Sequence, residues 1–290
     1  MSGAAEHERD MLLLRGRLLP LTATLLLVEG TAVELASQWA DVRQTAMAQR
    51  DYQVTYEPVG ADDTESALLA LQPLSGPSAT RFLFLPTRGR SPSGRPWTLF
   101  LDNCFQGTDL NSPLAVFASR GRACLGVTAQ PHTYVSASDT GYHGHRRLTL
   151  AWPTDDERRF EGRTVAIRRT DSARWEFFAA GPVQPFERPE TYTARRTTDR
   201  VTVPLLREYA AALGARPWDE DFYDPSAGTV LARYTHELPP QYIEVSLADA
   251  QESRATAQPF EDYARHPRRG RPPASRPPHR LSLRDRLRPR

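Results

Sequence analysis

Apolar positions along the chain change their spacing several times, and each change marks an element. Behind Thr31, the residues Val33, Leu35, Ala36, Trp39, Val42, Ala46 and Met47 recur at roughly helical spacing. Thr31 followed by Glu34 fits a capping box, in which two side chains satisfy the free N–H groups of a helix start. The pattern predicts a helix over about 32–50, with Trp39 and Met47 on its core stripe. A strand is expected over 52–56, and the apolar run 67–71 reads as either a strand or a short helix. A short β run is expected at 82–85.

The strongest supersecondary signal follows. Trp97, Thr98, Leu99, Phe100 and Leu101 read as a buried strand. Ser112 and Pro113 suit an N-cap and first helical position, since proline lacks only an N–H that would be unsatisfied there. Gly121 suits the position after a helix that needs positive φ. The run 123–128 is a second apolar strand. Strand, short helix, strand is a βαβ unit, expected to bring a parallel pair into one sheet.

Further along, Leu148, Leu150 and Trp152 alternate. The runs 164–168 and 174–178 flank the turn formers Thr170, Asp171, Ser172 and Ala173, which predicts an antiparallel hairpin with Trp175 and Phe177 on one face. Thr202 and Pro204 open a helix that closes at Gly214, with Leu205, Leu206, Tyr209 and Leu213 as its apolar stripe. A last strand is expected at 242–246, and the core signal fades from about Gln251. The fold class is therefore α+β or α/β. It has a mixed sheet, one βαβ unit in the first half, an antiparallel hairpin in the second, and helices packed on the sheet. One globular unit is expected over residues 11–250.

The eleven-residue apolar stretch 18–28 is too short to span a bilayer, which needs about 20 apolar residues. Arg15 and Arg17 before it and small residues after it imitate a signal peptide, but Glu6, Glu8 and Asp10 disagree with a basic leader. We read it as a buried strand or helix.

Charge sharpens the picture. Residues 265–290 hold ten Arg and one acid, a net of +9, whereas the preceding 264 residues hold 27 Arg against 34 acids, a net of −7. An acidic body thus carries a basic tail. With six Pro and almost no apolar area, the tail cannot offset the cost of ordering and is expected to stay extended and unpacked. Arg268, Arg269, Arg271, Arg276, Arg280 and Arg284 are its candidate contacts to nucleic acid or another anion, since the guanidinium fork matches phosphate. All 37 basic residues are Arg, which suggests a high-GC genome. Two cysteines, Cys104 and Cys124, are too few for a disulfide scaffold and read as a reduced pair in a cytoplasmic protein.

Strong chemical signatures are lacking. There is no phosphate loop, dinucleotide glycine triplet, nucleophile elbow or His-Glu-x-x-His, and no cofactor is expected. The best enzyme-like site comes from topology, because ligands of open α/β sheets bind beyond the carboxyl ends of strands. There Asp102, Asp109 and His132 could converge to hold a divalent cation or to position a water. The competing reading is that Asp109 or Ser112 caps the helix. His143 and His145 could face one side of a strand, but two Arg follow and no carboxylate is close, so a glycine-rich surface turn is favoured. The acidic-aromatic stretch 218–224 is read as aromatics tucked under a helix with carboxylates in water.

Arg174, Trp175, Phe177, Gly181, Pro185, Phe186 and Glu187, then Tyr192, Arg195, Arg196 and Asp199, resemble proteins that recur in actinomycete genomes. Tyr209, Leu213, Gly214, Asp221, Phe222 and Tyr223 extend the resemblance, which covers about 174–223. It carries no known activity and transfers no functional residue. The leading expectation is a non-catalytic cytoplasmic binding protein, a regulator or an immunity-type inhibitor with a protein partner. The alternatives are a metal-dependent hydrolase using Asp102, Asp109 and His132, and a nucleic-acid-associated protein acting through its tail.

Overall fold

The computed structural model describes residues 3–47, 53–154, 160–169, 174–235 and 242–256. The basic tail and its six candidate arginines lie outside the described residues. The apolar stretch 18–28 ends in β1 (Thr24–Glu29), whose six residues are all buried. β1 is the middle of a nine-stranded sheet. It pairs antiparallel with β5 (Pro96–Asp102) and with β6 (Cys124–Gln130), so that Leu26 faces Phe100 on one side and Gly126 on the other.

The βαβ unit is present: β5, α4 (Asn111–Ala118) and β6, with both strands running the same way. Its strands are not neighbours, however. β1 is inserted between them, and every ladder of the large sheet is antiparallel among the described residues. The expected parallel pairing is thereby corrected. The strand signal of 97–101 and 123–128 was sound, but period and apolarity do not say which neighbour a strand chooses.

The complete order is β2 (Val54–Pro58), β10 (Val230–Tyr234), β4 (Arg81–Arg90), β5, β1, β6, β7 (His145–Pro153), β8 (Phe160–Arg169) and β9 (Trp175–Ala180). β3 (Leu74–Gly76) and β11 (Ile243–Val245) form a separate two-stranded sheet. The predicted hairpin is β8–β9, with Ile167 opposite Phe177; its turn lies outside the described residues. α3 (Thr64–Leu69) resolves the ambiguity at 67–71 in favour of helix, because Asp63 and Ser66 close a capping box. The strand expected at 52–56 is seen as β2, shifted toward the C-terminus.

Each face of the sheet buries its own core. On the first face, Leu25, Leu27, Leu99, Leu125, Leu148, Val165 and Ile167 meet the leucines of 12–21, α3 and α6 (Val203–Ala212). Thr202 caps α6 by accepting the Leu205 N–H, and Gly214 after it has φ +73°. Trp218, Phe222 and Tyr223 are buried here, as expected of the acidic-aromatic stretch. On the second face, α2 (Ala32–Met47) and α4 cover Leu26, Val28, Phe82, Phe84 and Phe100. Trp39 is buried among Phe82, Phe100 and Phe117, with ring centroids 5.2, 4.9 and 5.7 Å away. Thr31 Oγ1 accepts the Glu34 N–H at 3.4 Å, and the Glu34 carboxylate takes the Arg122 guanidinium.

The packed body extends past the expected 11–250 at both ends. α1 (Gly3–Asp10) places Glu8 against Arg146 at 2.7 Å, and α7 (Leu247–Thr256) buries Ala250. The short α5 (Thr197–Arg200) leans on β8 and β9 from the first face, where the Arg200 guanidinium lies over the Phe177 ring. On the second face α4 packs on β6 and β7. On that face of β8 and β9 the side chains of Arg168, Glu176 and Phe178 are exposed. No described helix is long and apolar enough to cross a membrane.

Candidate functional site

β5 and β6 end at the same edge of the sheet, so the loops that follow them could share a site. Asp102, the last residue of β5, is 5% exposed and lies on the second face, in register with Phe82. Its Oδ1 accepts the Cys104 N–H at 3.0 Å and its Oδ2 the Asp109 N–H at 3.4 Å, while its own N–H donates to Thr108 Oγ1. The carboxylate thus folds the loop 103–109 around itself. Burial pushes its pKa up to about 7, against the pull of those N–H groups; Asp109 adds to the rise and Arg43 opposes it.

Asp109 caps α4. It accepts from the N–H groups of Asn111 and Ser112 and from Ser112 Oγ at 2.6 Å. The helix therefore starts at Asn111, with Asp109 doing the capping expected of Ser112. Burial would raise the Asp109 pKa, but the Ser112 and backbone bonds outweigh it and hold the carboxyl below its usual range.

His132 is at the same edge but on the opposite face. Its Nδ1 accepts the Gly144 N–H at 3.2 Å, and its ring lies 6.1 Å from that of Trp175, part of the first-face core. Burial, Arg169 and His143 draw its pKa down. Asp102 and Asp109 are thus brought together and His132 is not. Among the described residues no group of three His, Cys, Asp or Glu is placed to hold a metal ion. Two residues after Gln130 the chain crosses to the other face, which strand-end logic alone does not anticipate.

The other candidates are committed to structure. Cys124 is fully enclosed and burial pushes its thiol up; burial does the same to Cys104. His143 stacks on Tyr134 with centroids 4.1 Å apart, while His145 opens β7. Burial, then Arg147 and Arg168, push the His145 pKa down to about 4.

What remains open is the second face of β7, β8 and β9. A groove of about 470 Å³ runs across it, lined by His145, Arg147, Thr164, Arg168, Glu176 and Phe178. The register places these side chains on one face: His145 with Arg168 and Glu176, and Arg147 with Ala166 and Phe178. Phe178 is 56% exposed. Arg147 spends its guanidinium on neutral oxygens, Thr149 Oγ1 at 2.6 Å and Asn111 Oδ1 at 3.4 Å, whereas Arg168 meets Glu176 at 3.3 Å. The groove thus holds one arginine bonded to neutral oxygens, one paired with a carboxylate, a neutral imidazole and the exposed Phe178 ring. A signal for it existed in the sequence: in the strand Trp175–Ala180, Phe178 falls out of phase with Trp175 and Phe177 and so must face away from their core.

No known protein family matches the chain, and no curated protein or solved structure is significantly similar to it.

An expected result isolates Asp102. Its pKa is raised on folding, so its stabilising contribution is complete below the unfolded value near 4 and is lost as pH rises through about 7. Asp102→Asn cannot ionise there. Between pH 4 and pH 8 the wild type should lose about 3–4 kcal/mol of unfolding free energy relative to this variant, measured by urea melts at each pH. A constant difference across that range would show that the carboxyl is ionised in the folded protein throughout.

Proposed function

We propose that this protein is a non-catalytic binding protein whose working surface is the open second face of β7–β9, and that its partner is a protein presenting an acidic patch. The observation that carries the reading is the groove itself. A body with a net charge of −7 sets Arg147 and Arg168, beside the neutral His145, around an exposed Phe178 where helical cover is thin. An exposed aromatic beside arginines is the composition of an interface centre. The reading is further supported by the fate of the catalytic candidates, since Asp102, Asp109 and His132 are spent on loop, cap and turn. A regulator or immunity-type inhibitor in the cytoplasm of a high-GC actinomycete fits this surface, the Arg-only basic set and the resemblance over 174–223.

The test is co-purification from the source cells with the wild-type chain, Phe178→Asp and Arg147→Glu, followed by cross-link mapping. The expected outcome is a stoichiometric protein partner that cross-links to β7–β9, weakens with salt and is lost with both variants. A partner that both variants retain would defeat the proposal, as would recovery of nucleic acid instead of protein.

A further inference from the structure

The nine-stranded sheet ends in β2 on one side and β9 on the other, and the two edges differ. The Val59 N–H donates to the Thr229 carbonyl and the Thr235 N–H to the Gln53 carbonyl, so the odd-numbered residues of β2 face β10. Val54, Tyr56 and Pro58 therefore face outward. Val54 gives its N–H to Gln44 Oε1 at 3.0 Å and Pro58 has none, so of these three Tyr56 alone keeps a donor for an incoming strand. Natural sheets blunt their edges in this way against unwanted pairing.

β9 lacks these devices. The Arg169 N–H donates to the Gly144 carbonyl, so the odd-numbered residues of β8 face β7 and the even-numbered ones face β9. The β8–β9 register then turns the backbone groups of Glu176, Phe178 and Ala180 inward, in agreement with the Ala180 carbonyl, which accepts from Arg163 of β8. The N–H and C=O groups of Trp175, Phe177 and Ala179 point outward, and no described residue takes them. The strand contains no Pro, Lys or Arg, and its one charge, Glu176, is met by Arg168 of its own sheet. Phe178, Ala179 and Ala180 are exposed.

The strand that fits this edge is β9 itself. Two copies paired antiparallel about a two-fold axis must set outward-facing residues opposite one another. With the axis at Phe177, that residue meets its own mate, and Trp175 meets Ala179 of the other copy, so all three outward residues join the ladder. Glu176 then lies opposite Phe178 of the other copy. An axis at Glu176 would instead set two carboxylates face to face, which is unfavourable. An axis at Phe178 would leave Trp175 opposite Gly181, whose carbonyl is already taken by Arg163. We infer that β9 is a dimerisation edge, through which two copies of this chain join about a two-fold axis at Phe177 into one continuous sheet. The axis is perpendicular to the sheet, so the second faces of both copies lie on the same side.

Light scattering of the full chain, with its mass followed against concentration, tests the inference. The expected mass is twice the 32.6 kDa of one chain. Ala179→Pro removes an outward N–H and no bond to β8, so it should halve the mass while leaving the thermal midpoint in place. The double variant Glu176→Cys with Phe178→Cys tests the register without relying on that proline. Directly opposite residues of a non-hydrogen-bonded pair have Cα atoms about 4.5 Å apart, within disulfide reach. Mild oxidation should therefore link two chains in the double variant and far less in either single variant. Arg147→Glu, away from the edge, should lose the acidic partner and keep the dimer, so the two readings fail separately. A monomer throughout the micromolar range overturns the inference. So does a dimer that survives Ala179→Pro, or a double variant that does not cross-link between chains.

Discussion

Glu187→Ala is expected to lower the unfolding free energy by about 3–5 kcal/mol, because it strands a buried cation. The Arg163 side chain is 3% exposed and that of Glu187 is 0% exposed. They pair through two bonds, Nε to Oε1 at 2.8 Å and an Nη2 to Oε2 contact at 2.6 Å. Arg163 Nη1 also donates to the Gly181 carbonyl, while Glu187 accepts the Gln184 N–H and the Tyr192 hydroxyl. Both carboxylate oxygens of Glu187 thus accept two bonds each, and removal of one member leaves the other uncompensated. Replacing both by apolar residues, Arg163→Met with Glu187→Leu, should recover most of the loss. Burial alone would raise the Glu187 pKa, yet Arg163, Tyr192 and the Gln184 N–H together hold it below the usual carboxylate range. Its contribution is therefore present above the unfolded value and lost as pH falls through the lower folded one, the opposite sign to Asp102. Urea melts at pH 7 and pH 3 check both statements; a cost under about 1 kcal/mol for Glu187→Ala at pH 7 would place the pair in water.

Trp39→Ala should cost a similar amount, about 3–5 kcal/mol, by leaving a cavity that the surrounding rings cannot close. Trp39 is 1% exposed, three phenylalanine rings surround it, and the Arg43 guanidinium sits 4.5 Å above its ring. On the same helix Thr31→Ala removes one long cap bond and should cost only about 1 kcal/mol. Chemical denaturation of the two variants side by side separates packing from capping. Equal small losses would mean that α2 is not seated on the second face.

Elements whose signals are local could be read from the chain. α2 and α6 carry their own caps, and the sequence between β8 and β9 is rich in turn formers. The pairing of β5 and β6 with β1 could not be read, since it depends on contacts between residues about 70 to 100 positions apart. β10 was missed because Val230–Tyr234 is a short run whose partners, β2 and β4, lie far upstream. α7 had a readable start: Ser246 accepts the Asp249 N–H and donates to its carboxylate, a serine-to-aspartate box at the expected spacing. In the candidate site, Asp102 and Asp109 were placed at the correct edge. His132 was misplaced because an edge has two faces.

The insertion of β1 between β5 and β6 has a consequence for biosynthesis. Leu26 pairs with Phe100 and Gly126, so β1 cannot be satisfied on either edge until partners about 70 to 100 residues downstream have been translated. Closing such distant ladders is slow, and nascent apolar strands are exposed to the wrong partners in the meantime. The very segment that imitates a leader, Leu25, Leu26, Leu27 and Val28, is the one that waits. A ribosome-bound chain halted before residue 96 should recruit holding chaperones through it, and one released past residue 130 should not.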